Sequence, residues 1–183
     1  MAQEVPHRFD TAYLTIDYDE ANHWVYSNWK GYLTIETVQA GAEAILQHLQ
    51  YHRCAYLLND NRRVLGMWNP AMEWTITNWA PRAVALGLTY FAHLVQPDAM
   101  ATLSAEALTL GISKYLCIAS FEDTEPAMLC YGYVRHSGPL ASKKLPSEAH
   151  AGKSFPTRLR TAAPKIVYSS IPHFRHHGPA QPA

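Results

Sequence analysis

At 183 residues the chain fits one domain plus an appendage, and its apolar fraction of 48%, with five Trp, eleven Tyr and five Phe, supplies a full core. A formal net charge of zero hides an asymmetry: residues 1–136 carry 8 Lys and Arg against 14 Asp and Glu, and residues 137–183 carry 7 against 1. No run approaches the ~20 apolar residues of a membrane span, the opening Met1-Ala2-Gln3-Glu4-Val5-Pro6 is polar, and three widely spaced Cys without a CxxC pair read as buried free thiols. The expectation is a cytoplasmic protein.

Residues 13–18 alternate apolar and polar, the period of a half-buried strand, and residues 23–29 read as a second strand ended by Lys30-Gly31. Their short connection favours an antiparallel hairpin. Thr34 suits an N-cap, and Ile35, Val38, Ala42, Ile45, Leu46 and Leu49 share one face of a helix over about 35–51. Residues 54–58 form an unbroken apolar run, as in a strand covered on both faces, so strand, helix and strand make a right-handed βαβ unit.

The run then breaks into Asn59, Asp60, Asn61, Arg62 and Arg63, which read as a loop at the carboxyl end of that buried strand. Asn69-Pro70 starts a second helix, with Asn69 as its N-cap and Met72, Ile76 and Trp79 at helical spacing. Ala80-Pro81 interrupts it, and one or two further turns stop at Gly87. Residues 88–95 form a strand, Asp98 caps a helix containing Met100, Leu103, Ala107 and Leu108, residues 115–119 form the last strand, and a final helix runs from Glu125 to about Val134. From Ser137 onward Pro, Ser, Ala, Lys and His dominate, so 137–183 is expected to be a disordered tail. Only Ile166-Val167-Tyr168 there has strand character.

Four words of the sequence carry a resemblance: Trp29-Lys30-Gly31, Leu58-Asn59-Asp60-Asn61-Arg62, Trp79-Ala80-Pro81-Arg82 before Gly87-Leu88, and Phe121-Glu122-Asp123. In this order the chain resembles the SpoIIAA-like or STAS-like superfamily in its small bacterial variant, related in fold to CRAL-TRIO lipid-transfer domains. The resemblance covers roughly residues 13–136. It implies an α/β fold with a four- or five-stranded, mainly parallel sheet, an N-terminal antiparallel hairpin and flanking helices. It also implies a regulatory or protein-binding role. Residues 1–12 are then an N-terminal extension and 137–183 a basic tail. One family feature is absent: phospho-switched members carry Ser or Thr in the loop after the third strand, and residues 59–74 contain no Ser, Thr or Tyr.

Function is carried by two candidate constellations. Arg62 and Arg63 could hold a carboxylate or other anion beside Asn59, Asp60 and Asn61, at the end of a buried strand where open α/β sheets bind ligands. The competing reading is a solvated turn. Trp68, Trp74 and Trp79 flank the second helix as a pocket wall or a docking patch, against the commoner role of core packing.

GxSxG, HExxH, GxxxxGK[ST] and GxGxxG are all missing, so neither catalysis nor a cofactor is expected. His48 and His52 sit at i, i+4 without a third ligand and read as surface residues. His93 reads as a hydrogen-bonded core or rim histidine. Seven spread cations in the tail give no specific nucleic-acid site. Two functions follow, a non-enzymatic regulatory or protein-binding module acting through the loop 59–68 and the second-helix surface, and a carrier or sensor of a small hydrophobic ligand under the second helix. Neither the partner nor the oligomeric state is legible.

Overall fold

The structure is a computed structural model that describes residues 8–96, 99–137 and 165–167. Seven strands form one sheet in sequence order: β1 (Arg8–Asp10), β2 (Leu14–Asp19), β3 (Trp24–Tyr32), β4 (Tyr56–Leu65), β5 (Tyr90–Leu94), β6 (Cys117–Phe121) and β7 (Lys165–Val167). β1, β2 and β3 are antiparallel neighbours, β3 to β6 run parallel, and β7 returns antiparallel along β6. The expected α/β architecture, N-terminal hairpin and parallel sheet are all present. Two three-residue edge strands widen the sheet beyond the expected five. β7 comes from the segment with strand character in the tail; the rest of the tail from residue 138 lies outside the described residues, as does the expected cap at Asp98.

Each parallel connection steps to the next strand in the same direction, so crossovers of one hand place their helices on one face. That face carries α1 (Ile35–His52), the helical segment between β4 and β5, and α4 (Ala99–Ile112), packed over Leu14, Ile16, Val25, Leu57, Phe91 and Ile118. The opposite face is covered by α5 (Thr124–Ser137), whose Ala127, Cys130 and Tyr131 meet Trp24, Leu58, Tyr90 and Phe121. Fully burying a side chain such as Leu57 or Ile118 contributes about 1.5–3 kcal/mol.

α1 is fixed at both ends by its own sequence. Thr34 Oγ1 accepts from the Thr37 amide, and Thr37 Oγ1 accepts from the Thr34 amide, a reciprocal box that satisfies two otherwise orphaned donors. Arg53 closes the helix in the left-handed region at φ 48°. Gly41 lets the helix sit close on β3, since a Cβ there would lie 2.4 Å from the Trp29 ring and 2.5 Å from Leu14.

The segment between β4 and β5 passes through four helical geometries: a 3-10 turn (Asn69–Ala71), α2 (Met72–Trp74), a π turn (Thr75–Trp79) and α3 (Ala80–Ala85). Pro81 has no amide hydrogen and its ring crowds the carbonyl four residues back, so a regular α-helix cannot continue through it. The π turn absorbs the misfit, with the Ala80 amide bonded to the Thr75 carbonyl. Asn69 does not cap this segment; its Oδ1 accepts from Ser104 Oγ of α4 at 2.6 Å, so it ties two helices together instead.

Several expected boundaries and faces move. Lys30-Gly31 does not end β3, because pairing with β4 continues to Tyr32. β6 starts two residues later than expected and ends on buried Phe121. On α4, Leu103 and Ala107 are exposed, and the buried stripe is Ser104, Ala105, Leu108, Thr109 and Ile112. This helix is apolar nearly all round, so periodicity alone did not choose its inner face.

The largest correction concerns residues 59–63. They are strand, not loop: β4 runs unbroken from Tyr56 to Leu65, and Asn59, Asp60 and Asn61 are 6%, 3% and 7% exposed. Polar side chains can occupy a buried strand when each finds a partner: Asn59 and Asp60 find theirs on β3, and Asn61 bonds to Asn59 of its own strand. Beyond Asp60, which pairs with Leu94, β4 outlasts β5 and continues beside β3 alone. A bulge there sets Trp29 opposite both Asn61 and Arg62. Val64 is thereby buried in the α1-side core while Arg63 is left exposed.

Candidate functional site

The parallel register aligns Ser27, Asn59, His93 and Ser120 as direct neighbours across β3, β4, β5 and β6. Four polar residues thus form a row across the helix-covered face, toward the carboxyl ends of the parallel strands. Asn59 Oδ1 accepts from Ser27 Oγ at 2.8 Å and from Trp29 Nε1 at 2.9 Å. An indole nitrogen can only donate, so this bond fixes which end of the Asn59 amide is oxygen. Asn59 Nδ2 then donates to Asn61 Oδ1 at 2.9 Å, and Asn61 Nδ2 has no hydrogen-bond partner among the described residues. Ser120 Oγ meets Thr109 Oγ1 of α4 at 3.3 Å.

His93 is the exception in the row. It is fully buried, and among the described residues neither ring nitrogen has a hydrogen-bond partner. The expected hydrogen-bonded histidine is therefore corrected. Its ring stands edge-on to Phe91 at 5.6 Å. Burial pushes the imidazole down to about 4 against the opposing pull of the Asp60 charge, so the ring is neutral near pH 7.

Beside this row lies a cavity of about 50 Å³ between β4, α1 and the helical segment. Trp29, Trp68, Trp79, Phe91 and aliphatic side chains of α1 wall it, and Asn59, Asn61 and Thr75 supply its polar side chains. Trp79 Nε1 donates to the Ala42 carbonyl at 2.9 Å, and Thr75 Oγ1 donates to the Ala71 carbonyl. Trp68 Nε1 is buried with no partner among the described residues. A buried N–H left unpaired costs roughly 1–3 kcal/mol, so the tertiary structure holds a donor here at a price in stability. The π turn places Thr75 and Trp79 at this wall, and π turns recur at functional positions.

The remaining candidates lie elsewhere. Asp60 and Arg62 face the α5 side, because adjacent strand residues point to opposite faces. Asp60 accepts from Tyr26 OH at 2.9 Å, from the Arg62 amide and Nε at 3.0 Å each, and from Arg62 Nη2 at 2.8 Å. Arg62 Nη2 also reaches Thr124 Oγ1 at the start of α5, at 3.2 Å. Burial works to raise the Asp60 pKa, but the hydrogen bonds from Arg62 and Tyr26 outweigh it and hold the carboxyl below its usual range. Burial and the Asp60 charge together push the Tyr26 phenol up to about 12. The anion-binding fork expected of Arg62 is thus occupied by Asp60. Arg63 is exposed, and Trp74 is half-buried against the core, outside the cavity wall.

His48, expected at the surface, is 1% exposed; His52 stacks on Tyr18 with ring centres 3.9 Å apart. The i, i+4 pair faces the strand hairpin because α1 rotates its Leu49 stripe toward the sheet and carries His48 with it. Among the described residues no group of three His, Cys, Asp or Glu is placed to hold a metal ion. The three cysteines are free; burial raises all three thiols, Cys117 to about 12.

Sequence reasoning found Asn59, Asn61, Trp68 and Trp79 but missed Ser27, Trp29 and the alignment with His93. The available signal was parity: Ser27 and Trp29 share one face of β3 and Asn59 and Asn61 one face of β4. The chain matches no protein-family model, no curated protein and no solved structure. No helix among the described residues is long and apolar enough to cross a membrane.

Proposed function

We propose that this protein is a non-enzymatic sensor or carrier of a small, largely apolar molecule, held in the cavity beneath the helical segment 69–85. The observation that carries the reading is the cavity itself. It joins an aromatic wall to an amide-lined floor at the carboxyl side of a parallel sheet, where α/β proteins take their ligands. Its lining contains no side chain that titrates near neutral pH, which favours binding over acid–base chemistry. The STAS-like resemblance and its lipid-transfer relatives agree with such a role. Native mass spectrometry of protein purified from its own cells tests it: a bound small molecule is expected, and an empty protein in every preparation defeats the proposal.

A second reading, a regulatory protein-binding module, draws on the far end of the β3–β4 ribbon. There Tyr32 pairs with Leu65, and Tyr32, Leu65 and Met67 are 78%, 52% and 45% exposed. Contiguous exposed apolar side chains mark contact surfaces. Under this reading Tyr32→Ser with Leu65→Ser abolishes capture of a partner without altering the melting temperature; retained capture by the folded double variant removes it.

A further inference from the structure

The far end of the β3–β4 ribbon has one bare face. On β3, Trp24 and Tyr26 pack with the α5-side core, and Val25 and Trp29 with the α1-side core. Strand alternation then puts Lys30 and Tyr32 on the α5 side. Past the bulge β4 keeps that phase: Val64, opposite Gly31, lies in the α1-side core, so Arg63, opposite Lys30, and Leu65, opposite Tyr32, share the α5 side. Arg63 and Leu65 are exposed there, Lys30 is half-buried, and Tyr32 is the most exposed large hydrophobic among the described residues.

Two features of this face are unfavourable for the chain by itself. Tyr32 and Leu65 present contiguous apolar area to water. Lys30 and Arg63 place two cations directly across the ladder, an arrangement that lowers stability. Neither has an ion pair among the described residues. Arg62, the next residue along, is neutralised by Asp60. The face therefore carries two uncompensated positive charges beside an apolar pair. Its sign runs against the rest of residues 1–136, which hold 8 Lys and Arg against 14 Asp and Glu.

We propose that this face docks an acidic segment of a partner protein, with carboxylates on Lys30 and Arg63 and an apolar side chain seated against Tyr32 and Leu65. The inference rests on the protein-binding reading of the ribbon and specifies the chemistry of the partner. Arg63 offers a carboxylate a planar fork of donors, and Lys30 adds a point charge beside it. Tyr32 supplies a large, rigid contact area with few rotamers to freeze. Polyanions suit the face less well. Anionic membranes recruit clusters of roughly four to eight Lys and Arg, and nucleic acids likewise need many phosphate contacts. Two cations on an acidic body leave an extended negative surface repelled at longer range. A short acidic segment meets only the local charge.

The test lets the protein choose its sequence. A displayed library of random linear peptides is panned on the full-length chain, and clones that also bind Tyr32→Ser/Leu65→Ser are discarded. Enriched peptides are expected to place Asp or Glu next to an aromatic or aliphatic residue, well above the frequency in the unselected library. The leading peptide, made synthetically, is then titrated. Lys30→Ala with Arg63→Ala should weaken it about fivefold, the factor two exposed charge pairs supply. Lys30→Glu with Arg63→Glu should weaken it on the order of twentyfold, because repulsion replaces attraction. Added salt should weaken the wild-type complex. Arg63→Glu alone turns a repulsive cross-strand pair into an attractive one, so its melting temperature should equal or exceed that of the wild type while binding falls.

Ribbon-dependent peptides without an acidic excess overturn the acidic-partner inference and leave the protein-binding reading standing. So does an affinity unchanged in Lys30→Ala/Arg63→Ala. A lower melting temperature in Arg63→Glu makes the cation pair structural and overturns its assignment to a partner. Binding to phosphatidylserine-containing vesicles or to a single-stranded oligonucleotide that the same charge variants abolish, with no peptide enriched, assigns the face to a polyanion instead. If no clone depends on Tyr32 and Leu65, the protein-binding reading of the ribbon falls together with the inference.

Discussion

The two faces of β4 use the same kind of residue to opposite ends. On the α5 side, Asp60 gathers Tyr26, the Arg62 guanidinium and the Arg62 amide, and Arg62 passes on to Thr124. Charge is neutralised within a few ångströms, and the network is closed. On the α1 side, Asn59 takes two donors and passes its own hydrogens to Asn61, where the chain of bonds stops at the cavity. That network is open. A closed network contributes to stability alone; an open one leaves atoms able to recognise something, at a cost in stability.

Substitutions on the open face should do the most damage where they break its internal bonds. Asn59→Leu removes the acceptor of Trp29 Nε1 and Ser27 Oγ at once, and two stranded buried donors cost about 3–4 kcal/mol. A urea unfolding midpoint close to that of the wild type would show that Asn59 does not hold this face together.

His93 gives the same face a pH dependence. Its folded pKa, about 4, lies below the ordinary value of 6.5, so the unfolded chain takes up the proton first as pH falls. Stability from the neutral buried ring is fully present above pH 6.5 and is lost as pH drops from there toward 4. The loss should total on the order of 3 kcal/mol, and His93→Phe should flatten this part of the stability profile. Parallel profiles for the two proteins would contradict it.

The closed face should respond less and at lower pH. Asp60→Asn keeps the shape and removes the charge, for an expected loss of about 1–2 kcal/mol at pH 7, since Arg62 is partly solvated. Because the folded pKa of Asp60 is depressed, its contribution is complete above the unfolded value near ~4 and fades as pH falls through and below it. Thermal melts of both proteins from pH 7 to pH 3 should therefore converge only at the acid end. Convergence already at pH 6 would transfer that dependence to another group.

Trp68→Phe should have the smallest effect, because the packing lost with the larger ring is offset by removal of a buried hydrogen that has no partner among the described residues. Trp29→Phe, which loses the same ring volume and also deprives Asn59 of a donor, is the control and should cost about 1 kcal/mol more. Equal losses in the two would mean that the Trp68 indole is satisfied after all.

Local sequence settled a good deal. The Thr34 cap, the amphipathic stripe of α1, the alternation of β2 and the continuous apolar start of β4 each follow from interactions within a few residues, and each led to the right element. So did the α/β class and the parallel sheet. Residues 59–63 mark where this stopped. A polar run after Leu57-Leu58 reads as a strand ending in solvent, because its local bonds, Asn59 to Asn61 and Arg62 to Asp60, satisfy it only in part and the rest needs distant partners. Its partners are Tyr26, Ser27 and Trp29, about thirty residues away, and they become neighbours only when β3 and β4 pair in this register. The same pairing divided four of the five candidate ligand residues between the two faces of the sheet, left Arg63 exposed, and brought His93 beside Asn59. Residue identity determined which atoms can donate and accept. Only the tertiary register decided which of them are spent on one another and which are left without a partner.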